Sequence, residues 1–159
     1  MTKRLLPLIP DGLAVEHVRP EPDRITILVR PRCPSSPCPG CSMPSSRVHS
    51  RYKRRLADLP WQGRPVILRL QVRQFLCMKA GCPKRTFAER LPGVVRPSAR
   101  RSERLADIQR HVVLALGGEA GGRLAHRLAM PVSADTLLRL AVAVPRVEGP
   151  VPRVLGVDE

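Results

Sequence analysis

An α+β fold, strands first and helices after, follows from three observations. Before Pro92-Gly93 apolar and polar residues alternate at period two over 64–77, and shorter strand-like stretches precede it. Beyond that dipeptide the apolar residues recur at helical spacing. Four of the five cysteines stand in two close-spaced pairs, Cys38/Cys41 and Cys77/Cys82, which bracket the clearest strand.

In chain order, residues 13–19 and 24–30 read as two short strands. Pro20-Glu21-Pro22-Asp23 between them is turn chemistry, so a β-hairpin is expected over a lead-in of residues 1–32. Pro31 to Pro44 is rich in Pro, Ser and Cys and reads as loop. Residues 47–55 form an opposing strand with its turn, and Leu59-Pro60-Trp61 connects it to the long strand, 64–77. In that strand Val66, Leu68, Leu70 and Val72 share one face. Arg69, Gln71 and Arg73 share the other, with Ile67 and Phe75 among them. Trp61 reads first as a hydrophobic plug, ahead of a base-stacking ring.

The cysteine spacing carries the chemistry of the 33–92 module. Thiolates bind Zn²⁺ tetrahedrally, and ligands a few residues apart on a tight knuckle fit that geometry. Cys38-Pro39-Gly40-Cys41 has the small, turn-prone residues of a knuckle, and Gly81 precedes the last cysteine of a looser one. A structural zinc held by Cys38, Cys41, Cys77 and Cys82 is the leading reading, which makes the module zinc-ribbon-like. A disulfide and unpaired thiols are the alternatives. Cys33 and His49 are substitute ligands of lower rank. His17, His111 and His126 show no metal spacing with one another.

Charge is distributed unevenly. The chain of 159 residues has a formal net charge of +15, from 28 Lys+Arg and 13 Asp+Glu. Residues 33–92 hold 12 basic residues and only two acids, Asp58 and Glu89. Arg47, Arg51, Lys53, Arg54 and Arg55 fall within nine residues, and Arg69 and Arg73 lie on one face of the long strand. Guanidinium predominates, the group suited to gripping phosphate bidentately. A polyanion partner is expected, nucleic acid first. No apolar run approaches the ~20 residues of a membrane span. The N-terminus is too soon broken by Pro7 to serve as a secretory signal. A cytoplasmic location and no membrane partner are therefore expected.

After Pro92, a first helix carries Leu105, Ile108, Val112 and Leu116, capped by Ser102 or Ser98 and ended by Gly117-Gly118. A second spans about 119–129, with Gly121-Gly122 speaking against a helix interior. A third, 134–144, starts at the Ser133 cap and turns Leu137, Leu140, Ala141 and Val144 inward. Two short helices across a brief break behind a packing helix match a helix-turn-helix, expected over 97–145. Asp135, Thr136 and Arg139 would then reach base edges. An ordinary three-helix bundle fits the same pattern. Residues 146–159 read as a linker and the start of a buried strand, Val154 to Val157.

Taken together these residues resemble the N-terminal half of insertion-sequence transposases of the ISL-three family. The resemblance lies in Cys38-Pro39-Gly40-Cys41, Arg47 to Trp61, Val72 to Cys77, Cys82 to Leu91, Leu116 to Leu124, Val132 to Arg139 and Val154 to Glu159. It implies a zinc finger and a helix-turn-helix that bind the terminal inverted repeats of double-stranded transposon DNA, with homo-oligomers of the full-length protein. It also implies a DDE catalytic domain of RNase H-like fold, whose acidic triad holds Mg²⁺ in the full-length parent. Asp158 resembles the first carboxylate of that triad. Two-metal phosphoryl transfer needs several carboxylates. Since the sequence ends one residue later, the chain is expected to be a truncated form without transposase activity alone. The competing reading is a small zinc-ribbon protein that binds nucleic acid or serves as an adaptor, with no transposase role.

Overall fold

The computed structural model describes residues 9–143. Val144, the 145–152 linker, the strand expected from Val154 and Asp158 lie outside the described residues. In chain order the elements are β1 (Leu13–Pro20), β2 (Ile25–Pro31), β3 (Ser36–Pro37), β4 (Pro44–Ser45), β5 (Val48–Trp61), β6 (Arg64–Leu76), β7 (Thr86–Ala88), α1 (Glu103–Arg127) and α2 (Ala134–Val142).

The main sheet runs β1-β2-β6-β5. β1 and β2 form the expected hairpin, closed by the Glu21 N–H on the Arg24 carbonyl at 2.8 Å. β2 then lies parallel to β6, with Ile25 opposite Val66 and Val29 opposite Leu70. The hairpin and the cysteine module thus share one sheet, which continues across the boundary expected at residue 32. β7 pairs with Gln74 to Leu76 and takes over the edge of β6 that β2 leaves at Leu70.

β5 is longer than expected. It runs through Leu59-Pro60-Trp61, and the turn falls at Gln62-Gly63, where both residues have positive φ (51° and 70°). Trp61 pairs directly with Arg64, so this is a two-residue hairpin whose twist suits a right-twisted strand pair. Pro60 is tolerated because it sits in the register shift between Asp58 and Trp61, where the ladder asks no donor of it.

β6 serves two cores. Val66, Leu68, Leu70 and Val72 pack with Ile25, Ile27, Val29 and Leu56, under a lid of Val94 and Val95 from the loop before α1. Trp61 packs half-buried at the margin of this core. Three residues beyond Val72, Phe75 points to the other side, where it meets Phe87 at 5.8 Å between ring centres and the cysteines.

The helical part departs from expectation: the described residues hold two helices, not three. The stretches expected as first and second helices are one element, kinked at Gly117 (φ 73°, ψ −176°), a conformation open in practice to glycine alone. Gly118 and Gly121 do not break it, because they form the seat of α2. A Cβ on Gly118 would stand 3.1 Å from Leu138 Cγ, and one on Gly121 3.3 Å from Leu137 Cδ1. The buried stripe of α1 is also rotated from the most apolar one. Leu105, Gln109 and Val113 face inward, while Ile108 (42%) and Leu116 (46%) stay exposed. Gln109 is held there by Arg101 and by the Met130 carbonyl. Ser102, rather than Ser98, caps α1, accepting from the Leu105 N–H at 3.2 Å. Ser133 caps α2 as expected.

Candidate metal centre and nucleic-acid interface

Two hairpins deliver the four cysteines. β3 and β4 flank the first knuckle, closed by Cys38 N–H on the Met43 carbonyl (2.9 Å) and Ser42 N–H on the Cys38 carbonyl (2.8 Å). β6 and β7 flank the second, where Cys77 N–H donates to the Arg85 carbonyl (2.9 Å) and Gly81 takes a φ of 78°. The strand β7 has no signature in the sequence, since three residues carry no measurable alternation.

The four Sγ atoms lie within 4.8 Å of one another. Cys38 and Cys82 sulfurs are 3.8 Å apart, and those of Cys41 and Cys77 3.6 Å. These are too long for a disulfide. They suit the edge of a tetrahedron with bonds of about 2.3 Å, which is about 3.8 Å. Cys33 is exposed, and neither it nor His49 belongs to the cluster. Backbone N–H groups back the sulfurs: Gly40 donates to Cys38 Sγ at 3.5 Å and Lys84 to Cys82 Sγ at 3.4 Å.

Electrostatics favours a cation here. Burial works against the Cys38 thiolate, but the Gly40 and Cys41 N–H groups and the neighbouring thiols outweigh it and bring Cys38 down to about 7. The Lys79 N–H favours a Cys77 thiolate, yet burial and the surrounding sulfurs push Cys77 up to about 12. Cys82 is raised as well, in spite of the Lys84 N–H. The cluster thus disfavours thiolates at Cys77 and Cys82, and a divalent cation held by the four sulfurs would favour them. The donor set and geometry fit zinc. All four tetrahedral positions are protein sulfur, which leaves none open for chemistry and makes the site a structural one.

The basic residues separate into two groups. Arg51, Lys53 and Arg55 of β5 and Arg69 of β6 share the sheet face opposite the Leu68–Leu70 core, and all are exposed. Arg55 sits directly across from Arg69, a like-charge pair that weakens a sheet unless something neutralises it. Arg47 is exposed too, beside Met78 Sδ at 3.8 Å. Among the described residues none of these five cations has an ion-pair partner.

Arg73 and Arg54 do not belong with them. Arg73 forks onto Glu89, donates to the Cys33 carbonyl at 2.6 Å and lies 5.0 Å over the Phe75 ring. Its side chain is 15% exposed, so it ties the knuckle end together rather than offering charge to a ligand. Arg54, on the core-facing side, donates to the Ala99 carbonyl at 2.5 Å. On α2, Asp135 and Arg139 are exposed, while the half-buried Thr136 hydroxyl is taken up by Ser133 Oγ at 2.8 Å.

Two residues that stand out in the sequence only as scarce acids are structural pins. Asp58 is buried and accepts from Ser102 Oγ (2.6 Å) and from both arms of Arg104 (2.9 and 2.6 Å), which fastens α1 to β5. Glu89 is the buried partner of Arg73. These are the only acids of residues 33–92, so the exposed surface of that segment carries no carboxylate at all. The signal is their isolation in a basic stretch: a lone carboxylate amid arginines is the one that folding can most readily bury.

Residues 30–82 match the family model for the zinc-finger of transposase IS204/IS1001/IS1096/IS1165. That match covers both cysteine pairs and all of β5 and β6. No curated protein and no solved structure matches the chain. The similarity thus supports a transposase N-terminus of this type, with a structural zinc module. No helix among the described residues is long and apolar enough to cross a membrane.

Proposed function

We propose that this chain is the DNA-binding N-terminal part of an insertion-sequence transposase and that it recognises the terminal inverted repeats of its element. The observation that carries this reading is the coincidence of the family match with exposed cations on one face of β5 and β6, in a segment whose two carboxylates are both buried. Arg51, Lys53, Arg55 and Arg69 contact phosphates and set the register of the protein on the duplex. The unfavourable Arg55–Arg69 pairing is relieved when a polyanion lies across it. Asp135 and Arg139 on the first turns of α2 contact base edges, and Thr136, bonded to Ser133, is left to the cap of the helix. The zinc contributes no step. It holds the Cys38 and Cys77 knuckles together, and so fixes the end of the sheet that displays Arg47 and Arg51. Asp158 and the Mg²⁺ chemistry implied for a DDE domain lie outside the described residues and have no part in this reading.

The test is binding of the zinc-loaded chain to duplexes taken from the inverted repeats flanking the coding locus, beside scrambled duplexes and RNA. The binding constant is expected to fall with salt at a slope near −0.9 per phosphate neutralised, and to favour the repeat sequence. A constant indifferent to salt overturns the reading. Preference for RNA, or for no sequence at all, favours the zinc-ribbon adaptor instead.

A further inference from the structure

A second basic feature lies away from the sheet face. The loop before α1, the first turns of α1 and the end of α2 enclose a cleft of about 630 Å³. Its lining carries five arginines, Arg96, Arg100, Arg101, Arg104 and Arg110, against two carboxylates, Glu103 and Asp107. Leu140 and Ala143 of α2 supply an apolar wall.

Not all of this charge is available to a ligand. Arg104 forks onto Asp58, and Arg110 pairs with Asp107. Arg96 and Arg100 are exposed, with no ion-pair partner among the described residues. Arg101 is half-buried and its side chain meets only the neutral amide of Gln109 among the described residues. Burial lowers its affinity for the proton, the mark of a cation desolvated without compensation. Arg110 adds a buried Nε with no hydrogen-bond partner among the described residues. A group of guanidinium donors left short of acceptors, in a cleft wide enough to admit a tetrahedral oxyanion, suits phosphate.

The loop that lines the cleft also meets the edge of β5 just beyond its basic residues. β5 presents Arg51, Lys53 and Arg55. Two residues later Ala57 pairs with Arg101, its N–H on the Arg100 carbonyl at 2.9 Å and its carbonyl accepting from Ser102 N–H at 2.9 Å.

We infer that this cleft is a second backbone-phosphate site, which takes a phosphodiester of the same DNA through Arg96, Arg100 and Arg101. The inference rests on the DNA-binding reading above and adds to it a phosphate contact made by the helical part. It is tested with the zinc-loaded full chain and one fixed duplex, by measuring the salt slope of binding. Arg96→Ala/Arg100→Ala is compared with Arg55→Ala/Arg69→Ala and with wild type. Each double variant is expected to lower the slope by about 1.8. Arg96→Lys/Arg100→Lys, which keeps both charges, is expected to restore it. Unchanged zinc content and unfolding midpoint confirm that folding is intact. If wild type shows no salt-dependent binding, the DNA reading itself fails. If only the sheet-face variant loses slope, or the lysine variant recovers none, the cleft is not a phosphate site and the DNA reading stands.

Discussion

The two ends of β6 are held by different physics. From Val66 to Val72 the strand is fixed between β2 and β5 by an apolar core of β-branched and leucine side chains. From Phe75 onward the cluster is two aromatic rings, Val48 and four cysteines, too little apolar surface to order two hairpins. The first end is ordered by exclusion of water and the second by coordination. The arginines follow the same division. Arg69, beside the self-sufficient core, is left to solvent, whereas Arg73, four residues on, is drawn into holding the knuckle end.

The largest effect that tests this contrast is loss of the metal. Cys82→Ser, or chelation of the wild type, is expected to unfold the knuckle end, where metal-linked folding free energies run on the order of 10 kcal/mol. Hydrogen exchange should show β7 and the Cys38 loop opening while β2 and the middle of β6 stay protected. Equal loss of protection at both ends would break the contrast.

Arg73→Ala comes next. It leaves Glu89 buried without its cation, at a cost of about 3–5 kcal/mol in denaturant unfolding. Leu70→Ala acts on the opposite end and costs about 2–5 kcal/mol, with zinc stoichiometry in native mass spectrometry unchanged. The smallest change in stability, under about 0.5 kcal/mol, is expected for Arg69→Ala. Its effect should show instead in DNA binding, as a salt slope lower by about 0.9. An Arg69→Ala that unfolds the protein, or an Arg73→Ala that changes only the slope, would reverse the roles assigned to the two arginines.

Much of the β module is legible in the residue order alone. Cysteine spacing picks out the four thiols that cluster, and strict alternation from Val66 to Val72 names the buried face. Both signals are local, set by near neighbours in the chain. The Gln62-Gly63 turn is readable from its Gly but is outweighed by Pro60. The helical part is less legible. Leu105, Ile108, Val112 and Leu116 make the better apolar stripe, yet Gln109 and Val113 are buried with Leu105 while Ile108 and Leu116 stay exposed. The glycines that speak against a helix interior mark the place where α2 comes closest.

By itself, then, the sequence determined that strands precede helices, the four cysteines that cluster and the excess of cations. Each depends on neighbours in the chain and on the intrinsic chemistry of a side chain. Only the tertiary structure decided which cations are free. Arg69 and Arg73 are equivalent by periodicity, and they differ because Glu89 arrives beside one of them on the loop after β7. Asp58 and Arg104, 46 residues apart, become one buried pair only when α1 docks on β5. The availability of a charge depends on what packs against it, and packing partners distant in the chain are chosen by the fold.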